Sequence, residues 1–163
     1  SLMPTNLYGP GDNYHPENSH VMASLIKKFY EASKKLTPSV TCWGTGNPMR
    51  EFLHVDDLGD AVVFALESWD PNSTNAPKDK DNKPLTILNV GTGKDLKIKE
   101  LAIKISNLVN YKGEIIWDKN KPDGTPRKLL NISKIQNLGW VPKISLDEGI
   151  KASIESFKEE NYF

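Results

Sequence analysis

Apolar residues recur along the chain at two spacings, one typical of amphipathic helices and the other of short buried strands. The helical spacing predicts helices over residues 20–35, 58–69, 98–109, 132–138 and 145–159. Short apolar runs bounded by turn residues predict strands over residues 3–8, 40–43, 49–55, 85–90 and 114–117. This mixture predicts an α/β fold with short strands and longer helices.

Capping residues and apolar stripes predict where the helices begin and which side they bury. Ser145, followed three positions later by Glu148, has the spacing of a capping box at the start of the last helix. The other long helices are expected to take caps from Asn18 or Ser19, from Asp56 with Asp57, and from Asp95. The predicted buried stripe of the second helix contains Leu58, Ala61, Val62, Ala65, Leu66 and Trp69.

The turn 44–48 separates two predicted strands, and we expect these strands to form a hairpin. Such a hairpin would bring Trp43 and Arg50 together across the turn. A ring that can stack on a sugar or a base would then lie beside a cation suited to phosphate. Two structural alternatives stay open, namely Trp43 as a core aromatic and Arg50 as a surface ion-pair partner of Glu51 or Asp56.

Charge and composition exclude several classes of function. The 163 residues contain 21 Lys and Arg and 21 Asp and Glu, and this zero net charge argues against a nucleic-acid-binding module. No apolar run approaches the roughly 20 residues that a membrane span requires. A single cysteine, Cys42, excludes an intramolecular disulfide framework and favours a reducing compartment, which we expect to be the cytoplasm. The length fits one domain over residues 1–163.

Motifs for common cofactor and metal sites are missing from the sequence. No Gly-x-Gly segment extends to the pattern that cradles a dinucleotide, and the histidines and the cysteine have no metal-ligand spacing. Tyr30 and Lys34 match the Tyr-x-x-x-Lys pair with which some dehydrogenases move a proton at a carbonyl. We interpret this as a chance match, because Tyr30 continues the apolar face of its helix. No βαβ unit precedes the first strand, so we expect a piece of a larger protein.

Several longer segments together resemble a known enzyme family. The segments R-E-F-L-H-V-D-D-L at 50–58, L-N-V-G-T-G at 88–93 and L-G-W-V-P at 138–142 resemble the C-terminal half of extended short-chain dehydrogenases/reductases acting on nucleotide sugars. The segments 4–13 and 18–21 and the loop K-P-D-G-T-P-R-K at 121–128 are similar to one branch of that family. Enzymes of this branch convert GDP-4-keto-6-deoxy-D-mannose by 3,5-epimerisation and NADPH-dependent 4-reduction. The likeness extends from Met3 to about Phe157.

The resemblance implies the substrate-binding portion of a Rossmann-type fold and an NADP-dependent epimerase/reductase as the intact enzyme. NADP(H) would be bound mainly by the other half, the substrate would be a GDP-sugar, and the enzyme would be a homodimer. The family's glycine-rich loop, catalytic serine, Tyr-Lys pair and epimerising cysteine have no counterpart in this chain. We therefore expect the chain to be inactive by itself.

The resemblance also implies roles for individual residues. His20 would act as the acid in epimerisation and contact the cofactor, since an imidazole exchanges protons near neutral pH. The other cofactor contacts would be Pro4, Thr5, Asn6 and Leu7. The substrate contacts would be Lys28, Trp43, Arg50, Asp123 and Lys128. From the residues alone, His20 is also compatible with a surface position at a helix start, Asp123 with a turn, and Lys128 with a solvated charge.

Two other functions remain open at this stage. One is the C-terminal half of another nucleotide-sugar epimerase or dehydratase, against which the loop 121–128 argues. The other is a non-catalytic module that binds nucleotide sugars.

Overall fold

Five helices and eight short strands alternate along residues 1–160, the part of the chain that the computed structural model describes. The helices are α1 (Val21–Lys35), α2 (Val55–Ser68), α3 (Ile98–Leu108), α4 (Ser133–Leu138) and α5 (Leu146–Glu160). The strands are β1 (Leu2–Pro4), β2 (Asn6–Tyr8), β3 (Ser39–Trp43), β4 (Met49–His54), β5 (Leu88–Val90), β6 (Asp95–Lys97), β7 (Glu114–Asp118) and β8 (Arg127–Lys128). The predicted α/β mixture is confirmed.

Strand β4 is central to the fold because three other strands pair with it. Its second half, residues 52–54, pairs in parallel with β2. Its first half lies between β6, which is antiparallel to it, and β8, which is parallel. The other strands form two separate parallel pairs, β1 with β5 and β3 with β7.

The predicted hairpin between residues 40–43 and 49–55 is wrong. Strand β3 pairs along its whole length with β7, and the N–H of Gly44 continues this ladder by donating to the carbonyl of Asp118 at 2.9 Å. The turn 44–48 therefore carries the chain out of one sheet and into another. Strand β6 was not predicted, because it has only three residues and two of them are charged.

Two hydrophobic cores lie on opposite sides of β4, because successive side chains of a strand point to opposite faces. Phe52 belongs to a core that contains Tyr8 and Phe29. Leu53 belongs to the second core, together with Val90 and other residues of β5, α2 and α4. This strand therefore holds both cores in register.

Glu51 joins the elements around β4 through hydrogen bonds to its buried carboxylate. Its side chain is 0% exposed. Oε1 accepts from the backbone N–H groups of Thr92 and Gly93, both at 2.7 Å, and Oε2 accepts from Leu130 N–H at 3.0 Å. A Cβ at Gly91 would collide with Oε1, so the glycine makes room for the carboxylate. The turn after β5 and the segment before α4 are thus tied to β4.

The capping prediction is right for α5. Ser145 Oγ accepts from the Glu148 N–H at 3.3 Å, and Glu148 Oε2 accepts from the Ser145 N–H at 3.1 Å. The two residues therefore form the expected capping box.

The predicted caps of the other three long helices are wrong. Helix α1 begins after His20, which provides no side-chain cap, and α3 begins after Lys97, whose N–H donates to Glu100 Oε2 at 3.1 Å. Helix α2 takes its cap from His54, whose Nδ1 accepts from the Asp56 N–H at 3.3 Å. Two of the residues predicted as caps form other contacts. The buried carboxylate of Asp57 accepts from the N–H groups of residues 143 and 144, and the Asp95 carboxylate accepts from the Arg127 guanidinium.

The buried stripe of α2 differs from the predicted one at two positions. Ala61 is buried, and Leu58 and Trp69 pack against the second core as expected. Val62 and Leu66 are exposed, the latter to 82%. Periodicity selected them because this helix carries apolar residues on both of its sides, and only one side is covered in residues 1–160.

Residues 1–160 contain neither a candidate membrane span nor a candidate metal-binding group. None of the helices described there is long and apolar enough to cross a membrane. The same residues contain no group of three His, Cys, Asp or Glu side chains able to hold a metal ion.

We predict that Glu51→Gln lowers the free energy of unfolding by roughly 2–3 kcal/mol, because an amide NH₂ would replace one acceptor oxygen and face backbone N–H donors. Urea denaturation followed by circular dichroism measures this change. Glu155→Gln is the matched control, since its carboxylate is exposed and forms a surface ion pair with Lys158, and it should leave the stability unchanged. Equal stability of both variants would contradict the role of Glu51.

Candidate functional site

An exposed indole stands at the end of β3. Trp43 is 67% exposed, although tryptophan is usually largely buried. Two ammonium groups lie over its ring, with Lys28 Nζ at 5.8 Å and Lys121 Nζ at 5.3 Å from the centroid. These distances allow cation–π attraction. Of the two lysines, only Lys28 was predicted from the sequence, since Lys121 lies in a polar loop without a periodic pattern.

Arg50 projects from the first half of β4. Its Nη1 donates to the Met49 carbonyl at 2.8 Å. Lys128 is its register partner on β8, so two cations stand side by side on neighbouring strands. Among residues 1–160 no ion pair joins Arg50 to Glu51 or Asp56, so the structure does not support the alternative of a surface ion pair.

Asp123 is bound by the turn that follows β3. Its Oδ1 accepts from the Thr45 N–H at 2.6 Å, and its Oδ2 accepts from Thr45 Oγ1 at 2.7 Å. These hydrogen bonds, the one from the hydroxyl first, lower the pKa of the Asp123 carboxyl. The residue is thus part of a tertiary contact between two loops, in addition to being a turn residue.

These side chains line two adjoining depressions that share Val21, Trp43 and Ile98, and we call the pair the Trp43 cleft. One depression, of about 160 Å³, contains Trp43, Arg50 and Asp123. The other, of about 260 Å³, contains Trp43 and Lys28. Four of the five predicted substrate contacts therefore share one cleft, and Lys128 adjoins it through its pairing with Arg50.

His20 lies between the cleft-lining residues Ser19 and Val21 in the sequence, but it is not itself among the residues that line either depression. It immediately precedes Val21, which belongs to both depressions, and it is exposed. Its imidazole does not cap α1. The other two histidines are placed differently: His15 is exposed in the loop before α1, and His54 is the buried cap of α2. The structure thus distinguishes the buried His54 from His15 and His20, which are both exposed before α1.

The predicted cofactor contacts Pro4, Thr5, Asn6 and Leu7 lie elsewhere, along β1 and β2. None of the four lines the Trp43 cleft. The Thr5 hydroxyl and the Asn6 amide both donate to the backbone carbonyl of Glu51, at 3.3 and 2.7 Å. Of the four residues only Asn6 is exposed. The structure does not bring this group together with the substrate-side residues.

Cys42 lies at the floor of the cleft and is buried. Burial raises the pKa of its thiol, and the nearby charge of Lys28 opposes this effect only in part. A buried thiol with a raised pKa is a poor nucleophile. Cys42 therefore acts as a small apolar residue.

Tyr30 and Lys34 form a local contact on α1. The Lys34 Nζ lies 5.5 Å from the centroid of the Tyr30 ring, and that ring packs edge-on against Phe157. The tyrosine is half-buried against the first core. The pair thus has a packing role on the helix surface.

The chemistry of the Trp43 cleft suits a ligand with a flat or sugar ring and a strong negative charge. Lys28, Arg50, Lys121 and Lys128 supply cations around one exposed indole. The Asp123 carboxylate, which would repel an anion, is engaged by Thr45. A guanidinium beside ammonium groups suits phosphate oxygens, and an indole suits stacking. A nucleoside diphosphate has both features.

Solved structures that match this fold are Rossmann-type reductases and epimerases, of which the chain covers about half. Residues 1–78 match the model of the NAD dependent epimerase/dehydratase family.

Individual proteins are similar to the chain over nearly its whole length. The chain is 49% identical over 158 residues to a probable GDP-L-fucose synthase 1 from Oryza sativa, covering 97% of this chain and 43% of the relative. A GDP-6-OMe-4-keto-L-xylo-heptose reductase from C. jejuni superposes with a TM-score of 0.85 at 34% identity, covering 98% of this chain and 53% of that one. A GDP-L-fucose synthetase from Naegleria fowleri bound to NADP superposes with a TM-score of 0.81 at 26% identity, covering 99% and 47%. The chain spans about half the length of the curated relatives it matches, and the matched part is their C-terminal half.

We predict that the Thr45 amide resonance shifts on acidification with a midpoint below the ordinary aspartate pKa of about 3.9. The carboxylate form of Asp123 accepts the Thr45 hydrogen bonds, so they persist above the lowered pKa and are lost as the pH falls through it. Two-dimensional NMR of the chain measures this titration. Asp123→Asn should abolish the transition, and a midpoint at or above the ordinary value would contradict the contact.

Proposed function

We propose that this chain is the sugar-nucleotide-binding portion of an enzyme that converts GDP-4-keto-6-deoxy-D-mannose to GDP-L-fucose. The reaction combines 3,5-epimerisation with NADPH-dependent reduction at C4. The observation that carries the proposal is the Trp43 cleft, in which an exposed indole is flanked by one guanidinium and two ammonium groups. The whole chain contributes to this site as a single substrate-binding domain.

Within the cleft, each cation has a distinct capacity. The Arg50 fork can donate two parallel hydrogen bonds to one phosphate, whereas Lys28 and Lys128 act as point charges. The indole of Trp43 offers a face on which a sugar or base can stack. Asp123 completes the wall beside them. Together these groups would hold the diphosphate and fix the orientation of the sugar.

His20 would return a proton during epimerisation. Protons next to a 4-keto group are acidic, and their removal gives an enolate that takes up a proton on either face. An imidazole that reaches the sugar ring can donate that proton to the face opposite the departing one, which inverts the carbon. The uncapped, exposed position of His20 supports this role, since no helix-capping contact holds the ring.

The cofactor NADP(H) supplies the hydride for the reduction at C4. In this chain we assign its contacts to His20 and to the segment from Pro4 to Leu7, with the rest of the binding provided outside these residues. Asn6 is the polar, exposed member of the segment, so its carboxamide fits a cofactor contact. The separation of this segment from the Trp43 cleft is compatible with a cofactor and a substrate that approach from different sides.

Two further features belong to the proposal. A single buried cysteine agrees with a reducing compartment, and we place the enzyme in the cytoplasm. We propose a homodimer for the intact enzyme on the basis of the family resemblance, which analytical ultracentrifugation of the intact protein tests.

We predict that the chain binds GDP more tightly than UDP, measured by isothermal titration calorimetry. Trp43→Ala and Arg50→Lys should each weaken GDP binding roughly tenfold, through loss of the ring face and of the bidentate grip respectively. Lys112→Ala is the control, because it removes an exposed cation outside the cleft.

The outcomes separate the candidate functions. Tighter binding of UDP would favour another nucleotide-sugar epimerase or dehydratase. Absence of GDP binding by a folded chain, or equal losses for the control and the cleft variants, would overturn the proposed site.

We also predict that the chain by itself does not oxidise NADPH in the presence of the keto sugar, because its sequence lacks a glycine-rich dinucleotide loop. Absorbance at the NADPH band follows the reaction, and an intact GDP-L-fucose synthase serves as the positive control. Turnover by the chain alone would refute this expectation.

A further inference from the structure

One wall of the Trp43 cleft is the loop between β7 and β8, residues 119–126. Its first end is fixed where Gly44 N–H donates to the Asp118 carbonyl at 2.9 Å. Its second end is fixed where Met49 N–H donates to the Pro126 carbonyl at 2.8 Å and where Arg127 pairs with Asp95 at 2.6 Å. The loop is therefore anchored at both ends to the strands that carry Trp43 and Arg50.

Between these anchors, one side chain holds the middle of the loop. Both carboxylate oxygens of Asp123 accept from Thr45, one from its N–H at 2.6 Å and one from its hydroxyl at 2.7 Å. A Cβ at Gly44 would collide with Asp123 Oδ1, so the turn is shaped to admit this carboxylate. We call the pair of hydrogen bonds the Thr45–Asp123 clasp.

The clasp lies next to the groups that form the cleft. Two residues before Asp123, Lys121 lies over the Trp43 ring, and its N–H donates to the Asp118 carbonyl at 3.1 Å. One residue after it, a Cβ at Gly124 would stand 3.7 Å from Arg50 Nη2. A shift of the loop at Asp123 would thus move Lys121 and also Gly124, the residue beside the Arg50 guanidinium.

We propose that Thr45 is a positioning residue of the site: through Asp123 it holds the loop 119–126 so that Lys121 stays over the ligand-binding indole and Gly124 stays beside Arg50. This inference rests on the proposed function, because its consequence is measured as binding of GDP. It extends that function, since the resemblance assigned Asp123 to the substrate and assigned nothing to Thr45 or Lys121. The Thr45 hydroxyl donates to Asp123 Oδ2 and accepts from the Asn47 N–H at 3.2 Å, and Asn47 is outside the predicted substrate set.

Three variants of the 163-residue chain test the clasp. Thr45→Val keeps the shape of the side chain and removes the hydroxyl donor, while Thr45→Ser keeps the donor. Thr37→Val is the matched control, because its hydroxyl donates to the Ala32 carbonyl at 3.4 Å, outside the cleft. Circular dichroism and the NMR spectrum of each variant verify that it is folded.

Two readouts are expected to move in Thr45→Val alone. Without ligand, the Lys121 amide should exchange faster and the Trp43 indole N–H resonance should shift, because only the bond from the Thr45 N–H then holds the loop above the ring. With GDP as the probe, the dissociation constant should rise roughly tenfold, as expected for loss of a hydrogen bond to a charged group. Thr45→Ser and Thr37→Val should match the unchanged chain in both readouts.

The possible failures can be told apart. If the unchanged chain binds no GDP, the proposed function fails. If the unchanged chain binds GDP and Thr45→Val binds it equally well, the positioning role of Thr45 is overturned while the proposed function stands. An unchanged Lys121 amide and Trp43 resonance in Thr45→Val overturn the clasp itself. Failure of Thr45→Ser to restore binding would also overturn it, since the hydroxyl would then not be the group that matters.

Discussion

The buried carboxylate of Glu51 is the interaction on which the arrangement of this chain depends. Three backbone N–H groups from two distant segments converge on it, and its own carbonyl receives the side chains of Thr5 and Asn6. An ionised group without such partners would be very costly to bury, so the surrounding segments must adopt this geometry together. Because side chains alternate along a strand, fixing Glu51 inward also fixes Arg50 on the other face of β4.

The cleft is built from loops on a rigid support, which is a common way to position binding residues. Trp43 is the last residue of β3, and Arg50 lies near the start of β4, which belongs to another sheet. The turn between these strands contains Thr45. The long loop that follows β7 returns across this turn and closes the gap between the sheets. Both sheets thus contribute to the site although β3 does not pair with β4. The hydrogen bonds between Thr45 and Asp123 connect the two sheets there.

Local patterns predicted the helices better than they predicted the strand partners, and the family resemblance selected the residues that the structure gathers around the Trp43 cleft. The stretch around Trp43 and Arg50 carried both its family motif and its chemistry in consecutive positions, so sequence was enough to select it. Glu51 looked like a surface charge because its partners are backbone groups, which leave no trace in residue identity. Lys121 belongs to the loop 121–128 that the sequence analysis quoted, but it received no role of its own because only the fold of that loop brings it over the indole. Periodicity also could not predict that Leu66 is exposed, because it identifies an apolar helix face but does not indicate whether another element covers that face.

The three partners of β4 have a consequence for how the chain acquires its shape. A hairpin pairs strands that are neighbours in sequence and needs only a short loop to close. Strand β4 instead pairs with β2, which precedes it by more than 40 residues, and with β6 and β8, which follow it by more than 40 residues. Closing such large loops costs entropy before any pairing compensates for it, and chains rich in distant pairings fold slowly. No short peptide cut from this sequence contains the cleft, because its lining residues extend from Pro16 to Asp123 and the strands that carry them pair with distant segments.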